Sequence, residues 1–544
     1  MNFTKLNRIL LLSLAIFTGL LFFVQPVNAQ FVNPKSNIEK LARTLQLLNY
    51  AYVDSVNLEK LSEEAITAIL AKLDPHSVYI SKAELAEANE PLQGSFDGIG
   101  VQFQIFKQTG FPDTVLVISP VPGGPSDKVG VHSGDKIVKI NGENSTGTIA
   151  TQKFVFDHLR GPKGSKVNIS VVRRGSKSLI EFTITRDKIP ITSIDASYML
   201  SPGIGYIKLN KFARTSMDEF HESLSKLRSA GMKSLILDLR NNTGGFMDIA
   251  IDLSDQFLSA GKRIVYTKGL HSPMQEFFST PKGDFEKGKL VVMINEGSAS
   301  ASEILAGAVQ DWDRALIIGR RSFGKGLVQR PFDLPDSSQI RLTVARYYTP
   351  SGRNIQKSYK NGAESYAEDI ATRFKKGELI HADSIHFPDS LKYLTNGKRT
   401  VYGGGGIMPD IFIPIDTISN THYFLDLFRK GLLNQYPLEY VDTNRKQLLA
   451  KYPTLIQFKD EYDKDHKLIN DFVAYAETKN IKKNEADLKL SYQDIEAILR
   501  ASVARSLYTS EAYYELVNVV DRELQKALEL IKNDSVFEKN KLSY

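Results

Sequence analysis

Cysteine is absent from all 544 residues. That excludes a disulfide framework, a thiol nucleophile and a thiolate metal site. A chain of this length buries enough apolar surface to dispense with cross-links, so the absence is compatible with life outside the cytoplasm. Basic stripes interleaved with aromatic residues are missing too. Lys and Arg total 69 against 62 Asp and Glu, and the net +7 is spread along the chain. Nucleic-acid binding therefore has little support. Beyond the N-terminus no apolar run approaches membrane-spanning length. No internal repeat is evident. Histidine is sparse, nine in all, and none lies next to the motifs that carry chemistry. A Ser-His-Asp arrangement is disfavoured by this, not formally excluded.

The N-terminus has its own pattern. Lys5 and Arg8 precede an apolar run over residues 9–24, and Val27-Asn28-Ala29 supplies small residues before Gln30. This is the layout of a secretory leader cut after Ala29. The expected compartment is the bacterial periplasm. An uncleaved leader, holding the protein at the membrane, is the rival reading. No cysteine follows the run, so a lipoprotein anchor is excluded there.

Five segments are expected: a leader at 1–29, helices over 30–93, a strand-rich module at 94–187, an α/β core at 188–416 and a helical extension at 417–544. Ile38, Leu41, Leu45 and Leu48 recur at helical spacing. A second helix runs from Leu61 to Leu73 and ends at Asp74-Pro75, since proline blocks continuation. From Gly94 the period becomes two. Val101, Phe103 and Ile105 alternate with Gln102 and Gln104, and Gly98-Ile99-Gly100 stands before them. From about Ile189, strands and helices alternate, which predicts stacked sheets covered by helices. Residues 361–400 are polar and read as an insertion within the core. Val517, Val520, Leu524, Leu528 and Ile531 form an amphipathic stripe near the C-terminus. It is expected to cap the fold or to receive an adaptor or a second copy of the chain.

The chemistry concentrates at Gly297-Ser298-Ala299-Ser300-Ala301-Ser302-Glu303 and Ser322-Phe323-Gly324-Lys325-Gly326, with Gln329 beyond. A serine among small residues opens a helix, and a lysine between glycines follows. That suits a serine nucleophile served by a lysine base. Lysine removes a proton only when neutral, so its pKa must fall from about 10.4 by burial or a nearby cation. Gln329 is neutral and can hold the amine without favouring its charged form. Ser298 and Ser302 rival Ser300 on spacing alone. An oxyanion needs donors. Ala301, just after the serine, and Gly245, in the turn Thr243-Gly244-Gly245 ending a buried strand, are the expected ones, with Gly244 close behind. Glu303 is read as a partner for the helix dipole, His76 as structural, and Arg160 as either a relay or a solvated turn residue.

Taken together these motifs resemble the C-terminal processing peptidases, serine–lysine endoproteases of peptidase family S41. The resemblance spans residues 38–416. It includes Leu73-Asp74-Pro75-His76-Ser77, the 240–245 turn, the 298–303 and 323–326 strings, Tyr347-Tyr348-Thr349-Pro350-Ser351-Gly352-Arg353 and 406–410. It implies Ser300 as nucleophile, Lys325 as base and Gln329 as orienter, on a crotonase-like ββα superfold. Thr243 stands where proline or serine is familiar, a change that removes no catalytic group. Residues 94–187 resemble a PDZ domain. There, main-chain N–H groups of Ile99, Gly100 and Val101 are expected to receive the C-terminal carboxylate of a peptide that adds a strand to the sheet. The expected activity is an exported serine endopeptidase acting near the free apolar C-termini of protein substrates, without metal or organic cofactor. A catalytically silent PDZ scaffold is the alternative. An acyl-CoA enzyme of the same superfold is a third, disfavoured by the leader.

Overall fold

The computed structural model describes residues 34–106 and 112–544, so the expected leader lies outside it. The chain divides after Lys72 into two compact units. In the first, helices Pro34–Ala51 and Leu58–Leu70 are described. The second begins at Asn57, whose side chain accepts the amide of Lys60 at 3.0 Å and satisfies one orphan donor of the first turn. It ends three residues earlier than its apolar pattern suggested.

The second unit holds the core. Strands Ile194–Ser201, Ile204–Leu209, Ser234–Asp238, Leu290–Ile294, Leu316–Gly319 and Ile411–Phe412 lie side by side in that order. The first pair is antiparallel and the rest are parallel. Parallel strands are covered on both faces, which is why they read as unbroken apolar runs. Side chains alternate between two cores. Leu290, Val292 and Ile294 meet helices Ser216–Ser229, Met247–Asp255 and Ala301–Asp311 on one face. Val291 and Met293 meet Leu524, Ala527, Ile531 and Phe537 on the other. Each such buried Leu or Ile stabilises the fold by roughly 1.5–3 kcal/mol.

Leu524, Leu528 and Ile531 of the amphipathic C-terminal stripe are thus packed within the chain. Helix Arg522–Ile531 is also tied by charge: Arg240 meets Asp238 and Asp521 at 2.7 Å, and Arg320 meets Glu296 at 2.8 Å and Glu523 at 2.5 Å. Burial works to raise the Asp238 carboxyl, but Arg240 and Lys208 outweigh it and hold it well below the usual range.

A second sheet has strand Gln339–Tyr348 at its centre, flanked by Val78–Ile80, Arg263–Lys268 and Leu327–Asp333. The register of Leu327–Asp333 against Gln339–Tyr348 slips once, pairing Val328 with Ala345 and then Gln329 with Thr343. The polar segment 361–400 is ordered. Arg373, 2% exposed, sends its guanidinium to the carbonyls of Ser322 and Phe323 at 2.8 and 3.1 Å, so it braces the loop that carries Lys325.

The strand-rich module forms its own sheet, in the order Val101–Phe106, Thr114–Pro120, Lys136–Ile140, Lys166–Val172, Ile180–Thr185. A ribbon of Ser95–Gly98 and Asp187–Pro190 joins it to the core. On its far side, helix Leu432–Lys451 presses Leu438 onto Phe106 and Leu116, and Arg174 reaches Thr443 at 2.9 Å. No helix among the described residues is long and apolar enough to cross a membrane.

Candidate active site

Three loops leave the carboxyl ends of three neighbouring parallel strands, where open α/β sheets place their ligands. Residues 240–245 follow Ser234–Asp238, residues 295–300 follow Leu290–Ile294, and residues 320–325 follow Leu316–Gly319. Adjacent strands therefore bring together residues far apart in sequence. A cleft of about 590 Å³ opens there, lined among others by Ser300, Lys325, Gln329, Gly244, Gly245 and Arg341.

The three serines separate clearly. The Ser298 hydroxyl donates to the Leu239 carbonyl at 2.8 Å and that of Ser302 to the Asn242 carbonyl at 2.9 Å. Both are buried. Ser300 alone of the three lines the cleft. Its backbone sits at φ 55°, ψ −112°, a conformation that costs a non-glycine residue of order 1–3 kcal/mol.

That conformation is held by Glu303. The two oxygens of its buried carboxylate accept four donors: the amides of Ser300 and Lys325 at 2.9 Å, the amide of Gly324 at 2.7 Å and the Ser322 hydroxyl at 2.5 Å. Glu303 thus clamps the loops that carry Ser300 and Lys325 together, beyond the dipole role read from its position. Burial raises its carboxyl above the ordinary value, although these donors pull the other way. Tyr347 adds a second clamp, placing its hydroxyl 2.6 Å from the Lys325 carbonyl and 3.1 Å from that of Ser300.

Burial takes the Lys325 amine below its ordinary 10.5; the charges of Glu303 and Asp74 oppose this and Arg341 assists it. His76 lies near enough to be affected. Burial and then the charge of Lys325 carry its imidazole to about 4, and its Nε2 pairs with the Tyr366 hydroxyl at 2.8 Å. The neutral ring belongs to the packing around the lysine, and no hydrogen bond joins it to Ser300.

The donors expected at the oxyanion are placed as follows. Among the described residues, the amides of Ala301 and Gly245 donate to no acceptor, whereas that of Gly244 is taken by Asn242 Oδ1 at 2.9 Å. A Cβ on Gly244 would lie 2.8 Å from Ser300 Cβ, and one on Gly245 only 2.1 Å from the Phe212 carbonyl oxygen. Both glycines also have positive φ. Only glycine lets this turn approach the serine so closely.

In the strand-rich module, Val101–Phe106 is an edge strand, open to β-augmentation. The amides of Ile99 and Gly100 have no acceptor among the described residues, and the Ile99 carbonyl is anchored by Ser126 at 2.7 Å. Val101 opens the edge strand. Phe156, on helix Gln152–Leu159, meets Phe103 at 5.6 Å across the groove. At the end of that helix, Arg160 covers Phe156 at 4.2 Å and pairs with Glu90. Glu90 lies on helix Lys82–Gln93, whose Asn89, Leu92 and Gln93 line the cleft that holds Ser300 and Lys325.

Sequence reasoning missed Tyr347, Arg341, Asp74 and Thr343 as members of this neighbourhood. No group of three or more metal-ligating side chains occurs among the described residues.

Comparison with known proteins finds three family matches along the chain. Peptidase family S41 matches residues 203–365, a PDZ domain matches 98–184, and a family of unknown function, DUF8443, matches 423–509. A carboxy-terminal-processing protease of Bartonella bacilliformis is 36% identical over 332 residues, covering 60% of this chain and 74% of the relative. A Staphylococcus aureus protein named "Probable CtpA-like serine protease" is 32% identical over 352 residues, 64% of this chain and 69% of its own length. Among solved structures, the photosystem II D1 C-terminal processing protease aligns with 57% of this chain and 88% of its own at 30% identity, with a TM-score of 0.32. The domains and relatives define a serine-type peptidase with a PDZ domain. The chain belongs to the carboxy-terminal-processing proteases of peptidase family S41.

Proposed function

We propose that this peptidase works with Ser300 as nucleophile, Lys325 as general base and Gln329 as the group that orients the lysine, and that its PDZ domain delivers substrates by their free apolar C-termini. The observation that carries the reading is the meeting of Ser300, Lys325, Gln329 and Gly245 in one cleft. Neutral Lys325 takes the Ser300 proton as Oγ bonds to the scissile carbonyl carbon. The carbonyl electron pair moves onto oxygen, which receives the N–H groups of Ala301 and Gly245. The lysine then protonates the departing amine, and water repeats the sequence to release the acyl group.

The terminal carboxylate of the substrate accepts from the amides of Ile99, Gly100 and Val101, and its last residues pair with the edge strand. Arg160 and Glu90 join that groove to the helix lining the catalytic cleft. Lys5, Arg8, the 9–24 run and Ala29 support export to the periplasm with cleavage before Gln30; N-terminal sequencing of the protein from fractionated cells tests this.

The central experiment compares the full chain with Ser300→Ala on an unfolded protein ending in free apolar residues, with mass spectrometry of the products. Cleavage by the parent alone supports the reading. Equal cleavage of the same substrate with an amidated C-terminus would sink the capture step and leave the catalytic assignment standing.

A further inference from the structure

Gln329 can help a lysine base in only one of its two amide orientations. Neutral lysine has two N–H groups and one lone pair, and the lone pair must be free for the Ser300 proton. A carbonyl oxygen facing the amine accepts an N–H and leaves the lone pair alone. An NH2 group facing it would donate into that lone pair. Oxygen and nitrogen of an amide look alike, so the hydrogen-bond network must decide.

The network does decide. Gln329 Nε2 lies 3.2 Å from Thr343 Oγ1, its cross-strand partner at the register slip. Thr343 Oγ1 in turn lies 3.0 Å from Asp74 Oδ1. The same carboxylate receives the amides of His76 and Ser77 at 2.8 and 2.9 Å on Oδ1 and the Ser77 hydroxyl at 2.6 Å on Oδ2. Ser77 Oγ itself accepts the Thr343 amide at 3.1 Å. Main-chain N–H groups can only donate, so Asp74 acts throughout as an acceptor. Thr343 has one hydroxyl hydrogen, and Asp74 takes it. Thr343 then has only lone pairs left for Gln329, which must offer its N–H. The amide oxygen is left without a donor, in a residue that shares its cleft with Lys325. Neither Gln329 Oε1 nor Lys325 Nζ has a hydrogen-bond partner among the described residues, and both residues line the cleft.

We propose that Asp74 and Thr343 are positioning residues that set the amide polarity of Gln329, so that its oxygen and not its nitrogen faces Lys325. This rests on the Ser300–Lys325–Gln329 reading above. Asp74 and Ser77 are 9% and 4% exposed, so water does not readily stand in for a missing link. The anchor comes from the segment entering strand Val78–Ile80, which pairs with Gln339–Tyr348 beside Thr343.

The test uses the full chain and a quenched-fluorescence peptide ending in free apolar residues. Thr343→Val removes the hydroxyl at nearly constant shape. Its kcat should fall roughly 10- to 100-fold, the scale of a misplaced catalytic group, with KM little changed. Thr343→Ser restores the hydroxyl and should restore most of kcat. In a Gln329→Ala background, Thr343→Val should cost nothing further, because it acts through Gln329. Asp74→Asn keeps its amide oxygen on the main-chain N–H groups of His76 and Ser77 and so still takes the Thr343 hydrogen; its kcat should fall far less than that of Thr343→Val, with the acid limb of its pH profile moved to lower pH. Parental kcat in Thr343→Val, a Thr343→Ser as slow as Thr343→Val, or a full further loss in the Gln329→Ala background would each overturn the proposal. Lys325→Ala separates the two levels. If it retains parental cleavage, the base assignment has failed. If it and Ser300→Ala are inactive while Gln329→Ala is near parental, the relay has failed and the dyad stands.

Discussion

Glu303 accepts the main-chain N–H of Lys325 at 2.9 Å, so the residue three places after Ser300 holds the backbone of the proposed base. The same carboxylate takes the amides of Ser300 and Gly324 and the hydroxyl of Ser322. Glu303→Gln keeps one acceptor oxygen and turns an NH2 group toward donors. Each donor left unmatched costs about 1–3 kcal/mol, and displacement of the two loops costs roughly 100-fold in rate. Calorimetry and peptide hydrolysis should both show the loss, while binding of a C-terminal peptide persists. Parental turnover in this variant would mean that the loops hold their places without the clamp.

Ser300 stores backbone strain that Ala shares and Gly escapes. Ser300→Ala and Ser300→Gly should both be inactive. Ser300→Gly should nevertheless be the more stable of the two, by about 1 kcal/mol, the difference between the strain relieved and the extra chain entropy lost. Matched denaturant titrations read this directly; an Ala variant at least as stable as the Gly variant would show that the serine is unstrained.

Lys325 must be neutral to act, so kcat/KM should climb with pH and level off below the ordinary lysine value of 10.5. Lys325→Arg stays charged and should be inactive throughout. The same depressed pKa makes the unfolded chain the better proton binder between the folded value and 10.5. Stability should therefore rise with pH across that window. Lys325→Met should be inactive and should lose that rise. A rate that falls through the alkaline range, with the fold intact, would point to another base.

His76 has its folded pKa lowered from 6.5 to about 4. Its contribution to stability is complete above 6.5 and is lost as pH falls from 6.5 toward 4. The melting temperature of the parent should drop over that interval more steeply than that of His76→Gln. Superimposable curves would show that the imidazole is not what the acid attacks.

Much of this site is legible in the sequence because its loops are written in unusual residues. Small side chains around Ser300, glycines flanking Lys325 and the pair Gly244-Gly245 each mark a place where backbone must come close. The apolar runs 234–239 and 290–294 likewise announce strands buried on both faces. The strand pair Leu327–Asp333 and Gln339–Tyr348 is harder to see. Arg330, Pro331, Arg341 and Arg346 interrupt its apolar alternation, so the surface on which Gln329 sits gives no pattern. Asp74 and Thr343 are 269 residues apart, and only the sheet makes them neighbours. Arg373 misleads in another way: a charged residue in a polar segment reads as solvated, yet its guanidinium finds the main-chain carbonyls beneath the lysine loop.

The site draws on residues 74–77, 243–245, 300–303, 322–329 and 343–347, and most of these contacts span long stretches of chain. Contacts of that kind form late, since the intervening chain must be closed into loops before they stabilise anything. A copy that has folded only as far as helix Ala301–Asp311 has Ser300 but lacks Tyr347, Thr343 and the clamp on Lys325. The proposed proteolytic site is then complete only once the chain has closed over these spans.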